Sequence, residues 1–246
     1  MLALLTLSVL AQAADDEHLA AIRTSLEKTA SSPYAYEVRG RFERAGEWHP
    51  PGVLTSRVKQ YQSARNGERL LVKGPEGLWL TAEERLGEKV ERPDPLAADV
   101  VRGLQGADAP HRIVARWLEE VTRGRAPEER EIEGTPCLRY SLYYTPTALR
   151  RMLEAHLEKS IAAGNIAKPD EVRWASGLKG TLRVYVVKKD GRLLRAVEER
   201  SVKIAYKVPD QAPDVKTYKL ETELVLSAWG TAELRLPPEV KDRLGL

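Results

Sequence analysis

Two stretches of this chain place a serine three residues ahead of a lysine, Ser25-Leu26-Glu27-Lys28 and Ser176-Gly177-Leu178-Lys179. A lysine at that spacing can take a serine's proton in acyl transfer, but the S-D-N and K-T-G partners of penicillin-binding chemistry are absent. Glu83-Glu84, Glu119-Glu120, Glu128-Glu129 and Glu198-Glu199 are paired carboxylates. Sequence neighbours point apart on a strand and diverge on a helix, so these read as solvated charge rather than acid–base pairs. Cys137 sits among Leu138 and Tyr140 and reads as a small buried hydrophobe rather than a nucleophile. The four histidines, His18, His49, His111 and His156, form no metal-spaced pair. His156 lies beside Leu153 and Leu157, at the edge of a core or facing a cavity. A hydrolase would need a serine or cysteine beside His156 or His111. No G-x-S-x-G, H-E-x-x-H, phosphate-binding loop or G-x-G-x-x-G occurs. The residues therefore predict no catalytic centre, no metal site and no cofactor.

The elements that would position any site come next. The 246 residues are 30% charged and 42% hydrophobic, enough to bury a core. Thirty-nine basic and 36 acidic residues leave a net charge of +3, with no Lys/Arg block, which argues against nucleic acid as a partner. One cysteine excludes an internal disulfide and thiolate-rich zinc sites. Met1 to Leu10 is an apolar run followed by Ala11-Gln12-Ala13 and then by Asp15-Asp16-Glu17. That pattern predicts a signal peptide over residues 1–13 and an exported mature chain, periplasmic or extracellular. The remainder, 14–246, reads as a single domain with no transmembrane segment.

Along the mature chain, Leu19, Ile22 and Leu26 predict a helix over 15–30. Tyr34, Tyr36, Val38, Gly40 and Phe42 then alternate with charged residues, predicting one long strand over 34–43 with one dry face. A strand over 53–64, an Asn66-Gly67 hairpin and short strands at 70–73, 78–81 and 89–91 follow. Asp94-Pro95 opens a helix, and Ile113, Val114, Trp117, Leu118 and Val121 mark a second. Residues 124–128 read as loop, 131–133 and 137–144 as strands, 146–164 as a helix, and 165–179 as a loop containing Trp174. Strands over 182–186, 192–200, 201–208 and 218–226 close the sheet, around an Asp190-Gly191 turn. The fold class is α+β, a strongly curved antiparallel sheet of about nine to eleven strands covered by helices on its open side.

Gly180-Thr181-Leu182-Arg183-Val184-Tyr185-Val186 with Asp190-Gly191-Arg192-Leu193-Leu194-Arg195 resembles the strand–turn–strand of LolA/LolB-like bacterial lipoprotein carriers. Leu224-Val225-Leu226-Ser227-Ala228-Trp229-Gly230, then Pro237-Pro238, is similar to the closing strand of the LppX/LprG-like lipid carriers. The lipobox cysteine of the anchored members is missing. The resemblance implies an incomplete β-barrel with an apolar concave cavity that binds a lipid or acylated protein, without catalysis. An envelope protein is a further partner to look for. The residues expected to line the cavity are Tyr36, Val38, Phe42, Trp117, Met152, His156, Leu182, Val184, Val186 and Leu224. The competing reading is a non-catalytic envelope interaction or sensor module whose interior is packed.

Overall fold

The computed structural model describes residues 17–40, 42–87, 95–162, 171–207 and 214–246. The expected leader, 1–13, and the short strand at 89–91 lie outside them. The first element among the described residues is helix α1, residues 17–30, whose Ile22 and Leu26 are buried. The strands that follow are β1 (Tyr34–Arg39), β2 (Arg44–His49), β3 (Val53–Val58), β4 (Tyr61–Asn66), β5 (Arg69–Lys73) and β6 (Trp79–Thr81). Helices α2 (Ala82–Gly87), α3 (Pro95–Gln105) and α4 (Pro110–Leu118) come next. After them run β7 (Val121–Ile132), β8 (Thr135–Tyr144), α5 (Pro146–Ala162), β9 (Glu171–Val187), β10 (Leu193–Lys207), β11 (Asp214–Ser227) and α6 (Pro238–Leu244).

The eleven strands of the described residues form one antiparallel sheet in the order β6-β5-β4-β3-β2-β1-β11-β10-β9-β8-β7, which does not close into a barrel. Two meanders meet where β1 pairs with β11, Tyr36 opposite Leu226 and Val38 opposite Leu224. The alternation of Tyr34, Tyr36 and Val38 buries one face of β1, as its charged partners imply. The expected strand over 34–43 is nevertheless two strands, because the chain turns at Gly40, φ 141°, and returns as β2. The expected strand over 53–64 is also a hairpin, turning at Lys59 with φ 52°. The expected strand over 201–208 is not a separate one. Residues 201–207 continue β10, which pairs with β11 from Arg195 to Tyr206, and residue 208 lies outside the described residues. The Gly124–Glu128 stretch belongs to β7, its loop-like composition accommodated by a shift in register between Arg125 and Glu128. Likewise β9 begins at Glu171, within the stretch expected to be loop.

Helices α1, α4 and α5 cover one face of the sheet, here the inner face. Ile22, Leu26, Val114, Trp117, Leu118 and Leu149 pack there against Tyr34, Tyr36, Val38, Tyr140, Leu142, Leu182, Val184, Leu224 and Leu226. Trp48 joins this cluster, and its indole N–H donates to the carbonyl of Ala30 at 2.9 Å, tying off α1. A second cluster sits under α2 and α3, where Val100, Val101 and Leu104 meet Val58, Tyr61 and Val72. Helix α2 carries a reciprocal cap, Glu84 N–H to Thr81 Oγ1 at 3.1 Å and Thr81 N–H to Glu84 Oε2 at 2.6 Å. The outer face of β4 and β5 is covered by α6, through Val240 and Leu244 on Ala64 and Leu71.

Gly46 is fixed by close approach. A Cβ there would stand 2.0 Å from the Thr55 carbonyl oxygen and 2.9 Å from the Tyr36 hydroxyl. Backbone on the neighbouring strand cannot yield as a side chain can. Gly46→Ala is expected to cost about 3 kcal/mol, the upper range for overpacking, read as a lower midpoint in urea unfolding.

Candidate functional site

Directly paired residues of adjacent strands share a face, so the register lays out the inner surface as rows. One row runs Tyr140, Val184, Ala196, Leu224, Val38 across β8, β9, β10, β11 and β1. The next runs Leu142, Leu182, Glu198, Thr222. The third contains Gly180, Arg200 and Leu220, with Tyr144 at the end of β8 beside Gly180. Beyond it lies Val202 opposite Tyr218. By this third row β1 and β8 have ended, and β9, β10 and β11 continue as a three-stranded extension. Helix α5 leaves the sheet at the same level, and its Leu149 seats on Gly180, where a Cβ would stand 2.7 Å from the leucine Cδ2.

The first rows are filled. Of the residues expected to line a cavity, Tyr36, Val38, Trp117, Leu182, Val184, Val186 and Leu224 all belong to the main inner-face cluster, each 9% exposed or less. Met152 is partly buried against the same cluster. Phe42 lies elsewhere, in the cluster under α3, pressed against Gly103. It left the expected stripe because the chain turns at Gly40. The side chains of His156 and Trp174 lie outside the described part.

The polar centre of the inner face is Tyr144, Glu198 and Arg200. The expectation that Glu198-Glu199 is solvated charge holds only in part. Glu199 faces outward and pairs with Arg183, whereas Glu198 is 2% exposed. Its Oε1 accepts from the Tyr144 hydroxyl and from Arg200 Nε at 2.9 Å and Nη2. The guanidinium also lies over the Tyr144 ring, 5.5 Å from its centroid. Burial, with the Glu198 charge beside it, pushes the Tyr144 phenol well above its ordinary range, so it stays a donor. Past this group the apolar stripe resumes, with Leu220 38% and Tyr218 40% exposed. Sequence reading missed the cluster because the three residues are joined only by the register of β8, β9 and β10.

A second buried polar group lies under α4. Tyr34 Oη is 2.7 Å from His111 Nδ1, and Trp48 meets the imidazole edge-on at 4.8 Å between ring centroids. Burial lowers the His111 pKa to about 4 and raises that of Tyr34, so a neutral phenol meets a neutral imidazole. His111 thus meets Tyr34 and Trp48 rather than a serine or cysteine nucleophile. Of the S-x-x-K residues, Ser25 is buried on α1 with no hydrogen-bond partner for its hydroxyl among the described residues, and the side chain of Ser176 lies outside the described part. Cys137 is fully buried, its thiol donates to the Arg130 carbonyl at 3.4 Å, and burial raises its pKa. It should resist a thiol reagent in the folded protein and react within seconds of adding denaturant. Fast labelling of the native chain would contradict the burial.

Among the described residues, no three His, Cys, Asp or Glu side chains gather to hold a metal ion. None of the described helices is long and apolar enough to cross a membrane. A cleft of about 670 Å³ lies on the outer face between β1–β4 and the segment Arg235–Pro237, lined by polar groups such as Glu37, Arg57 and Gln62 and by apolar ones such as Trp79 and Leu236.

No protein-family model matches this chain, and no curated protein matches it. Solved structures do. LprF from Mycobacterium bovis is similar over 91% of this chain and 97% of its own, at 12% identity and a TM-score of 0.43. A LolA superfamily protein from Nitrosomonas europaea is similar over 89% of this chain and 95% of its own, at 10% identity and a TM-score of 0.24.

Proposed function

We propose that this protein is a non-catalytic carrier of the cell envelope. It holds the acyl chain of a lipid or of a lipid-modified protein on the inner face of the β9–β10–β11 extension. One observation carries the reading: the core-facing stripe of β11 does not end with the core. Leu226 and Leu224 are buried, while Leu220 and Tyr218, on the same face and in unbroken register, are left open beside Val202. An exposed apolar stripe continuous with a core is a surface for an apolar partner. Each methylene moved onto it from water contributes ~0.8 kcal/mol. No polar motif is needed for that, in keeping with the lack of one in the sequence. Export through the 1–13 leader supplies the compartment, and an envelope protein supplies or receives the ligand.

The filled rows around Leu182 and Leu224 narrow the site to the extension and favour one competing reading, an interaction module with a packed interior. The two are separated by expressing the full-length chain in a bacterial periplasm, purifying it without detergent, and recording native mass spectra with lipid extraction. Discrete adducts of acyl-lipid mass are expected, lost on delipidation and absent from Leu220→Asp. A bare mass that stays bare after incubation with phospholipid vesicles would overturn the carrier reading.

A further inference from the structure

The outer face of the sheet changes character along β9, β10 and β11. Over the body its cations meet carboxylates on the same or neighbouring strands: Arg183 pairs with Glu199, and Arg195 and Arg39 both pair with Glu223. Glu199 and Glu221, directly opposite each other, mark the boundary. Beyond them the same face places Lys179 and Lys219 on either side of Ser201, and Lys203 opposite Thr217. The positions facing these lysines carry hydroxyls rather than carboxylates, and all three lysines are exposed. Val215, two residues before Thr217 and on that face, is 56% exposed. The stretches 171–179, 201–207 and 214–222 hold six basic and three acidic residues, a surplus equal to the net +3 of the whole chain. The remainder of the molecule is balanced, and the extension is its positive end.

We infer that the outer face of the β9–β10–β11 extension docks on a bilayer surface rich in anionic phospholipid, with the three lysine ammoniums among the phosphates and Val215 entering beneath them. The kind of cation selects this partner over an acidic protein. Protein interfaces are enriched in arginine, whose planar fork matches a carboxylate of fixed geometry, and depleted in lysine. Headgroup phosphates are mobile, and a point charge on a long flexible stem follows them. The lysine stems also lie along apolar surface while their charged ends stay in water. An exposed valine inside a basic patch suits the boundary between headgroups and acyl chains, where charged and apolar surroundings meet. This contact lies on the face opposite the proposed acyl site, goes beyond the carrier reading and does not depend on it.

The test takes protein expressed full-length, recovered from a bacterial periplasm and delipidated. Co-sedimentation is measured with vesicles of equal parts phosphatidylglycerol and phosphatidylcholine, and with vesicles of phosphatidylcholine alone. Binding is expected on the mixed vesicles only, weakening as salt is raised. Lys179→Gln, Lys203→Gln and Lys219→Gln together should lower the partition roughly a hundredfold, about fivefold for each lysine near an anionic surface. Lys188→Gln, Lys189→Gln and Arg235→Gln together remove the same charge from exposed positions outside the extension and should bind as wild type does. A polarity-sensitive dye on Val215→Cys should shift to the blue on the mixed vesicles, Cys137 being buried and unlabelled. The same dye on Lys188→Cys should not shift. All substituted positions are exposed, and a cooperative thermal transition confirms that each variant folds. Equal binding to both kinds of vesicle, no binding to the mixed ones, equal weakening by the two triple variants or an unshifted dye at position 215 would each overturn the docking. The Lys179, Lys203 and Lys219 triple variant should keep the acyl-lipid adducts of wild type in native mass spectra, so failure of the docking and failure of the carrier reading are read separately.

Discussion

Arg200→Ala should lower the free energy of unfolding by about 3 kcal/mol, the cost of leaving a buried charge without its partner. The carboxylate stranded is Glu198, almost fully enclosed, with the Tyr144 hydroxyl still donating to its Oε1. The lower end of the range applies because Arg200 is partly open to water. Glu198→Gln with Arg200→Met should cost far less, about 1 kcal/mol or below, since exchanging a buried ion pair for neutral groups of similar volume is often close to neutral. The difference between single and double variants, read from urea midpoints at constant slope, is the coupling between the two charges. A single variant as stable as wild type would mean that Glu198 finds water or another donor when Arg200 is gone, and that the inner face is wetter than its burial indicates.

Acid should unfold the protein partly through His111. The ordinary imidazole pKa is 6.5 and the folded value is lowered to about 4, first by burial and then by the Arg112 charge, with Asp108 opposing both. Above pH 6.5 the ring is neutral in both states and the contribution is complete. Between pH 6.5 and 4 the unfolded chain takes up a proton that the folded one refuses, so stability falls with pH. Over that window the loss is on the order of 3 kcal/mol, at 1.36 kcal/mol per unit. Below pH 4 both states are protonated and this contribution stops changing. His111→Gln keeps an acceptor for the Tyr34 hydroxyl and cannot take up the proton. Its stability should decline less than that of wild type between pH 6.5 and 4, the carboxylates being common to both. Parallel curves would remove His111 from the account.

What the sequence made legible was whatever repeats locally. The alternation of Tyr34, Tyr36 and Val38, of Leu182, Val184 and Val186, and of Leu224 and Leu226 identifies strands with a dry face, and those residues do meet on one side of the sheet. The Asn66-Gly67 turn was equally plain, with Gly67 at φ 59°. The turn at Lys59 was not, because a lysine in the left-handed region leaves no compositional mark. Beyond Arg39, the charges of Arg41 and Glu43 imitate continued alternation, so the hairpin at Gly40 was hidden and Phe42 was assigned to the wrong cluster. Glu198 reads as surface charge beside Glu199, since nothing nearby in the chain reveals that Tyr144 and Arg200 will enclose it. The overall architecture is carried by local period; the polar band depends on register between distant strands, which has no local trace.

The pairing of β1 with β11 has a consequence for how the chain becomes a structure at all. Every other neighbouring pair of strands in the sheet is consecutive in sequence. The β1–β6 meander and the β7–β11 meander can therefore each assemble from nearby segments. Joining them brings Tyr36 against Leu226 across most of the chain length, a closure whose entropic cost falls late and slows folding. Until the final strand has been synthesised, β1 remains an open edge with its backbone unpaired, and the inner face lacks Leu224 and Leu226. The folding chain is thus obliged to wait for its own C-terminal strand before its inner face is complete.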